Sequence, residues 1–316
     1  MKNALIYWIH TLSPTHVGTG RGLGYIDLPI HRDCLTGWPA IPATAFKGVW
    51  ADHFGATDEA RKGGDPDLRA AFGIAGGDKD GGPNAAASNA GALIPTDARL
   101  VCLPVRSFRG TFAWCTSRLA LEFLRRDLEM AGFASLPPAL ETAVEGVALH
   151  PMGGVLTHQA TVNDQGRIFL ADLDFKASSS DPAAAWATFI AGRVFTDDAW
   201  REQFKLRFVV VPDEAFNFLC ETATEIAARV RIDDEKKTVD VGALWNEELL
   251  PPEAILAGIV SCDRVYDSAP AGGAAAPRQQ MLMDKFAKDS MRLQIGGKAT
   301  TGRGQVRCVF SKPQGA

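Results

Sequence analysis

Apolar residues run unbroken from Ala4 to Ile9, and the segment 5–11 therefore reads as a strand apolar enough to lie centrally in a sheet. After a glycine-rich stretch, Thr44 is positioned to cap a helix reaching about Phe54, with Phe46, Val49, Trp50 and Phe54 on one face and Gly55 ending it. Segment 98–105 predicts a second strand. Thr116 or Ser117 then opens a helix carrying Leu119, Phe123, Leu124 and Leu128, which closes near Gly132. Further along, 205–211 reads as a strong strand and 214 to about 230 as a helix built on Phe216, Leu219, Cys220, Ala223 and Ala227. Strands are expected near 229–233 and 255–262, a helix over about 279–293, and a last strand at 306–310. Strands and helices intermix without regular alternation, which predicts an α+β fold.

Three segments break the pattern, 75–92, 177–185 and 268–277, all rich in Gly, Ala, Ser, Asp or Pro and read as mobile insertions. The third between 132 and 204 is the least regular. With 316 residues, 46% of them hydrophobic, the chain can bury a substantial core as one elaborated domain or two small ones. No stretch approaches the roughly 20 apolar residues that cross a membrane, and the short N-terminal apolar run gives way at once to Thr11 and Ser13. A cytoplasmic protein is expected. The six cysteines are scattered without a C-x-x-C pair and read as reduced, packed thiols. His31 and Cys34 have a ligand-like spacing but lack the second pair that a zinc site requires.

Net charge is −4, which on its face disfavours a polyanionic partner, yet the distribution is uneven. Between residues 285 and 312 seven basic residues face one acid, Asp289, whereas acids dominate 213–253. The basic segment contains a glycine loop with Gly296, Gly297, Lys298, Thr300, Thr301, Gly302 and Arg303, a set of amides, hydroxyls and cations suited to a phosphodiester backbone. It is not a nucleoside-triphosphate loop, because no glycine stands five residues before Gly297 and Ala299 replaces the magnesium-binding hydroxyl. Near the N-terminus, Gly18, Gly20, Gly22 and Gly24 alternate ahead of Asp27, which Ile26, Leu28 and Pro29 flank. Leu23 breaks the dinucleotide fingerprint there. Asp27 is either an acid aimed from a constrained loop at a bound polymer or a cap for neighbouring amides in a tight turn.

His16-Val17-Gly18-Thr19-Gly20 and Ile26-Asp27-Leu28-Pro29-Ile30, paired with the terminal glycine loop, resemble the RAMP superfamily of CRISPR-associated RNA-binding proteins. The likeness is to the repeated backbone subunit of the type III-B Cmr effector complex. Gly37-Trp38-Pro39-Ala40-Ile41-Pro42, Phe46-Lys47-Gly48, Thr96-Asp97-Ala98-Arg99-Leu100, Leu103-Pro104-Val105-Arg106-Ser107, Gly110-Thr111-Phe112-Ala113-Trp114-Cys115-Thr116 and the stretch from Gly242 to Glu253 are similar as well. Ala45 departs from the pattern, standing where the family has a small hydroxyl residue. The resemblance implies a single domain over 1–316 with a ferredoxin-like, RRM-like core. Inserted loops would lie at about 75–92, 132–204 and 268–277, the second holding a hairpin, the thumb. It also implies a filament of copies along a CRISPR guide RNA, beside other Cmr subunits and with no membrane, cutting complementary target RNA at regular intervals.

The family's catalytic aspartate matches Asp27, and cleavage there depends on a divalent metal ion, taken as magnesium, and leaves a 2′,3′-cyclic phosphate. Guide binding would fall to Lys47, Arg106 and the loop from Gly296 to Gly304, with His16 as either an RNA contact or a satisfied core histidine. The residues themselves allow such chemistry, since RNA carries its own nucleophile and one positioned carboxylate with cationic neighbours suffices to hold it in line and take its proton. Two other classes remain: a guide-binding scaffold in which Asp27 only shapes a turn, and a precursor-processing endonuclease, for which His31 would be the catalytic candidate. No RNP-type aromatic pair is present to stack bases on the sheet.

Overall fold

The computed structural model describes residues 3–22, 24–63, 65–74, 88–141, 144–159, 166–232, 239–266, 275–288 and 290–313. The chain opens with β1 (Ala4–Thr11), buried on both faces as its unbroken apolar run demands. A short β2 (Ala40–Ile41) leads into α1 (Ala43–His53), then α2 (Asp58–Gly63), α3 (Pro66–Phe72), β3 (Gly73–Ile74) and β4 (Asn89–Ala90). Thr44 lies inside α1 rather than capping it: Pro42 occupies the cap, and Asp97 takes its role by accepting from the Ala43 amide at 2.7 Å. Next come β5 (Leu93–Pro95), β6 (Ala98–Arg106), β7 (Phe112–Ser117) and α4 (Arg118–Met130), whose cap is Ser117.

The described residues of the third read as least regular form a series of strands and helices. These are β8 (Val147–His150), β9 (Arg167–Leu170), β10 (Leu173–Ser179), α5 (Asp181–Val194) and α6 (Asp198–Arg207). Segment 177–185 is therefore no mobile insertion: it ends a strand, and the Ser180 hydroxyl accepts from the Ala183 amide to start α5. Of the other two, 75–87 and 268–274 lie outside the described residues. The predicted strand at 205–211 is the end of α6 followed by β11 (Phe208–Val211).

α7 (Asp213–Thr222) stops well short of residue 230, and the chain turns into β12 (Glu225–Ile232), paired antiparallel with β13 (Val239–Leu249) as a separate two-stranded ribbon. Helix-compatible residues become strand here because pairing with β13 outweighs local propensity, and Thr224 is already tied by its hydroxyl to Glu248 at 3.0 Å. After β14 (Ile255–Cys262), α8 (Ala275–Phe286) likewise ends early, its last carbonyl accepting from the Trp50 indole at 3.0 Å. The expected tail of that helix is β15 (Ser290–Gln294), which pairs with β16 (Gln305–Ser311).

One sheet organises these elements in the order β15-β16-β1-β14-β6-β7-β11-β8-β10-β9, with β2 on β6 and β5 on β14. One face carries Tyr7, Phe46, Trp50, Phe216 and Phe286 beneath α1, α7 and α8. The other carries Trp8, Trp114, Trp186 and Phe204 beneath α4, α5 and α6. The far end curls over: Ser107, just past β6, bridges Leu170 of β9, and the Ala171 amide donates to the Arg106 carbonyl at 2.8 Å. Strands β6, β7, β11, β8, β10 and β9 thereby close on themselves. No described helix is long and apolar enough to cross a membrane.

Candidate active-site cleft

Asp27 is carried by a hairpin whose arms pair through Gly18 and Ile30, and whose return is held by the His31 amide on the Val17 carbonyl at 2.7 Å. Its tip requires glycine at position 22, where a Cβ would meet the Ile26 carbonyl oxygen at 2.6 Å. The outgoing arm lies along β13 as an added strand: Leu28 bridges Glu247, and the Glu248 amide donates to the Leu28 carbonyl at 3.0 Å. This contact sets the acid. The Asn246 amide donates to Asp27 Oδ2 at 2.8 Å, and Oδ1 has no hydrogen-bond partner among the described residues. One oxygen fixes the carboxylate while the other faces outward from an exposed side chain.

The two buried glutamates of β13 anchor this arrangement on opposite faces of the strand. Glu248 accepts from the Ile30 amide at 3.1 Å and pairs with Arg32, holding the hairpin. Glu247 accepts from the Trp245 indole at 2.9 Å, from Lys298 Nζ at 3.0 Å and from Arg229 Nε at 3.3 Å, holding the terminal glycine loop. Burial works to raise the Glu247 carboxyl, but hydrogen bonds from Trp245 and Lys298, the Lys298 charge and the bond from Arg229 outweigh it and bring the group below its ordinary range.

The terminal loop is set by its glycines. A Cβ on Gly296, at φ +86°, would meet the His16 carbonyl oxygen at 2.2 Å, and one on Gly304, at φ +77°, would meet the Ile295 carbonyl at 2.2 Å. His16 is buried, accepts the Gly297 amide on its carbonyl at 2.9 Å and bonds through Nδ1 to the Glu248 carbonyl at 2.8 Å. Its ring lies against Gly18 and Gly297 of the two glycine loops.

These pieces enclose a cleft of about 350 Å³ lined by Arg21, Gly22, Asp27, Leu28, Arg231, Leu244, Trp245 and Lys298. One carboxylate thus stands among three cations. Gly297, Thr300, Thr301 and Gly302 are exposed on the same loop as Lys298, and Arg303 is turned inward to pair with Glu225 at 3.5 Å. Lys47 sits half-buried in the second turn of α1 with no hydrogen bond or ion pair among the described residues; burial, and after it the charge of Arg61, hold its ammonium below the ordinary value. Arg106 is exposed at the seam where the strands close, and neither it nor Lys47 lines the cleft. His31 does not line it either.

Sequence reading missed Arg21, Arg231 and the glutamate anchors. The alternation Arg229-Val230-Arg231 was the available signal for Arg231, blurred because the preceding residues suit a helix. No cluster of three or more His, Cys, Asp or Glu side chains capable of holding a metal ion occurs among the described residues. Among the described residues Asp27 is the only carboxylate lining the cleft, beside three cations, so a divalent cation there would keep most of its waters and draw its other ligands from substrate phosphates.

A sequence model of the RAMP superfamily matches residues 8–307. The chain is 29% identical over 315 residues to the CRISPR system Cmr endoribonuclease Cmr4 of Pyrococcus furiosus, covering 98% of this chain and 96% of that protein. The crystal structure of oligomeric Cmr4 from Pyrococcus furiosus superposes with a TM-score of 0.70 at 23% identity, over 98% of this chain and 99% of that one. A cryo-EM structure of the type III-B Cmr-beta complex bound to cognate target RNA contains a chain matching with a TM-score of 0.70 at 18% identity, over 97% and 96% of the two. At these identities the structural likeness is one of fold.

Proposed function

The chain belongs to the RAMP superfamily, and we propose that it is the backbone subunit of a type III-B CRISPR ribonucleoprotein, assembling in copies along guide RNA and cleaving complementary RNA with Asp27. The observation that carries this reading is the Asp27 carboxylate, fixed through one oxygen by the Asn246 amide and set in a cleft with Arg21, Arg231 and Lys298. A 29% identical relative named as an endoribonuclease supports it.

The chemistry follows from the arrangement. The three cations neutralise and orient a phosphodiester, and Asp27 Oδ1 accepts the proton of the adjacent ribose 2′-hydroxyl as that oxygen attacks phosphorus. The bond to the 5′-oxygen breaks and that oxygen takes a proton from water, leaving a 2′,3′-cyclic phosphate on one fragment and a 5′-hydroxyl on the other. General-base assistance of this kind contributes about 10²- to 10⁴-fold. Magnesium, held by Asp27 and the substrate phosphates, would supply further charge neutralisation when bound. His16 serves by joining the loops, while Lys47, Arg106 and the exposed Gly296, Gly297, Thr300, Thr301 and Gly302 meet guide RNA, and Arg303 braces their loop. The single domain spans 1–316, and guide pairing supplies the sequence specificity.

The test is cleavage of end-labelled complementary RNA by the assembled complex, native against Asp27→Ala, with and without magnesium. Spaced cuts that vanish in the variant while guide binding persists are expected. Cuts surviving in Asp27→Ala would make this chain a scaffold, and cutting of guide precursor by the chain alone would make it a processing enzyme.

A further inference from the structure

At the far end of the sheet from the cleft, the closed strands β6 to β10 carry a groove that the reaction does not use. It measures about 1060 Å³ and is lined by Arg109, Lys176, His150, His158, Thr157 and Ser178 among others, with no carboxylate in the lining among the described residues. Arg109 and Lys176 are exposed and have no ion pair among the described residues. This distinguishes them from Lys298 and Arg303, which are tied to glutamates of the ribbon. Asp174, the acid nearest in sequence to Lys176, is engaged by Arg167. Beside the groove, Phe108 is 72% exposed and rests edge-on against His158, ring centroids 5.6 Å apart, and against Phe169 at 6.0 Å. The backbone holds it there: its amide donates to the Phe169 carbonyl at 3.3 Å, and the Ser107 hydroxyl to the same carbonyl at 3.0 Å. A large ring presented to solvent on a rigid seam, next to free cations and hydroxyls, is the chemistry of a single-strand platform: charge for the backbone, a flat face for a base.

We propose that this groove is a second RNA-binding site, taking the sugar-phosphate backbone of a single strand along Arg109, Lys176, Thr157 and Ser178 while an unpaired base stacks on Phe108. It rests on the RNA reading of the Asp27 cleft, and extends it by giving the same polymer a hold at the opposite end of the sheet. The exposed Arg106 lies on the same seam. Binding is independent of sequence, since phosphates and a ring face carry no base code.

The test is fluorescence anisotropy of the full chain with a labelled single-stranded RNA of mixed sequence, over a range of salt concentrations. Four proteins are compared: native, Arg109→Ala/Lys176→Ala, Phe108→Ala and Lys298→Ala. Each lost phosphate contact lowers the salt slope by roughly 0.7, so the double variant should lose roughly 1.4. Phe108→Ala should weaken binding at least about fivefold. The three groove side chains are exposed, so unchanged thermal unfolding of the two groove variants confirms their intact folding. Native-like binding by both groove variants while Lys298→Ala binds weakly overturns the second site and leaves the cleft reading standing. No RNA binding by the native chain overturns both. Native RNA binding with altered sedimentation of the RNA-free groove variants assigns the groove to a protein partner and also overturns the proposal.

Discussion

The Asp27 cleft and the groove beyond it are both cationic, yet they are built in opposite ways. In the cleft, backbone and charge are locked: Gly296 is pressed on the His16 carbonyl, Lys298 is held by Glu247, and Asp27 is pinned by the Asn246 amide. In the groove, Arg109 and Lys176 have no ion pair among the described residues, and Gly153 has nothing within 4 Å of where a Cβ would be. The general base proposed for the cleft would have to be fixed to fractions of an ångström to reach one hydroxyl, and the buried glutamates supply that rigidity. Holding a polymer by its phosphates requires charge without fixed geometry.

The sharpest way to break this comparison is to add one methyl group on each side. Gly296→Ala forces a Cβ to within 2.2 Å of a backbone oxygen at φ +86°, where neither partner can swing away. It should lower stability by about 3 kcal/mol or more. Gly153→Ala meets only the left-handed backbone, at φ +79°, and should cost about 1 kcal/mol. Urea unfolding of the two variants checks this, and equal losses would mean that the terminal loop is no more constrained than the groove.

That contrast also explains what could be read from the sequence. The glycine loops, Asp27 and Lys298 were legible because the chemistry sits in short runs with few alternative uses, and β1 and the helix at 43–53 because their apolar patterns are long. Of the ribbon only the end of its first strand was legible, as the strand expected near 229–233, because Ala223 and Ala227 suit a helix as well as a strand and only the pairing of 225–232 with 239–249 decides between them. Glu247 and Glu248 looked like ordinary surface acids in an acidic stretch. Their burial depends on the Asp27 hairpin and the C-terminal loop arriving from opposite ends of the chain. The order within 132–204 was hidden for a related reason: the strands are short, and although β9 and β10 form a local hairpin, β8 pairs with β10 and β11, both distant in sequence.

Glu247 gives the next largest effect and a pH signature. Glu247→Gln leaves Lys298 and Arg229 without their shared carboxylate, and because both are partly exposed the loss should be about 1–3 kcal/mol at neutral pH. The sign of the pH dependence follows from a carboxyl held below its ordinary value in the folded chain. Its stabilisation is full above the unfolded value near 4.5 and is lost as pH falls through the lowered folded value. The native chain should therefore lose stability on acidification more steeply than Glu247→Gln, converging with it at low pH. Parallel acid limbs would show that Glu247 does not tie the terminal loop to the ribbon through its charge.

The smallest effect separates two cations within the cleft itself. Arg231 lines the cleft but is exposed on β12 and has no ion pair among the described residues, so it is built like the groove cations rather than like Lys298. Arg231→Ala should leave stability within about 0.5 kcal/mol of native, whereas Lys298→Ala, which strips a charged partner from buried Glu247, should lower the melting temperature measurably. If Arg231 meets a phosphate, its loss should still reduce the salt slope of RNA binding by roughly 0.7 for a single strand. A variant that binds and melts like the native chain would confine electrostatic recognition in the cleft to Arg21 and Lys298. A variant that melts early would show that Arg231 is braced after all, and that rigidity extends to every charge around Asp27.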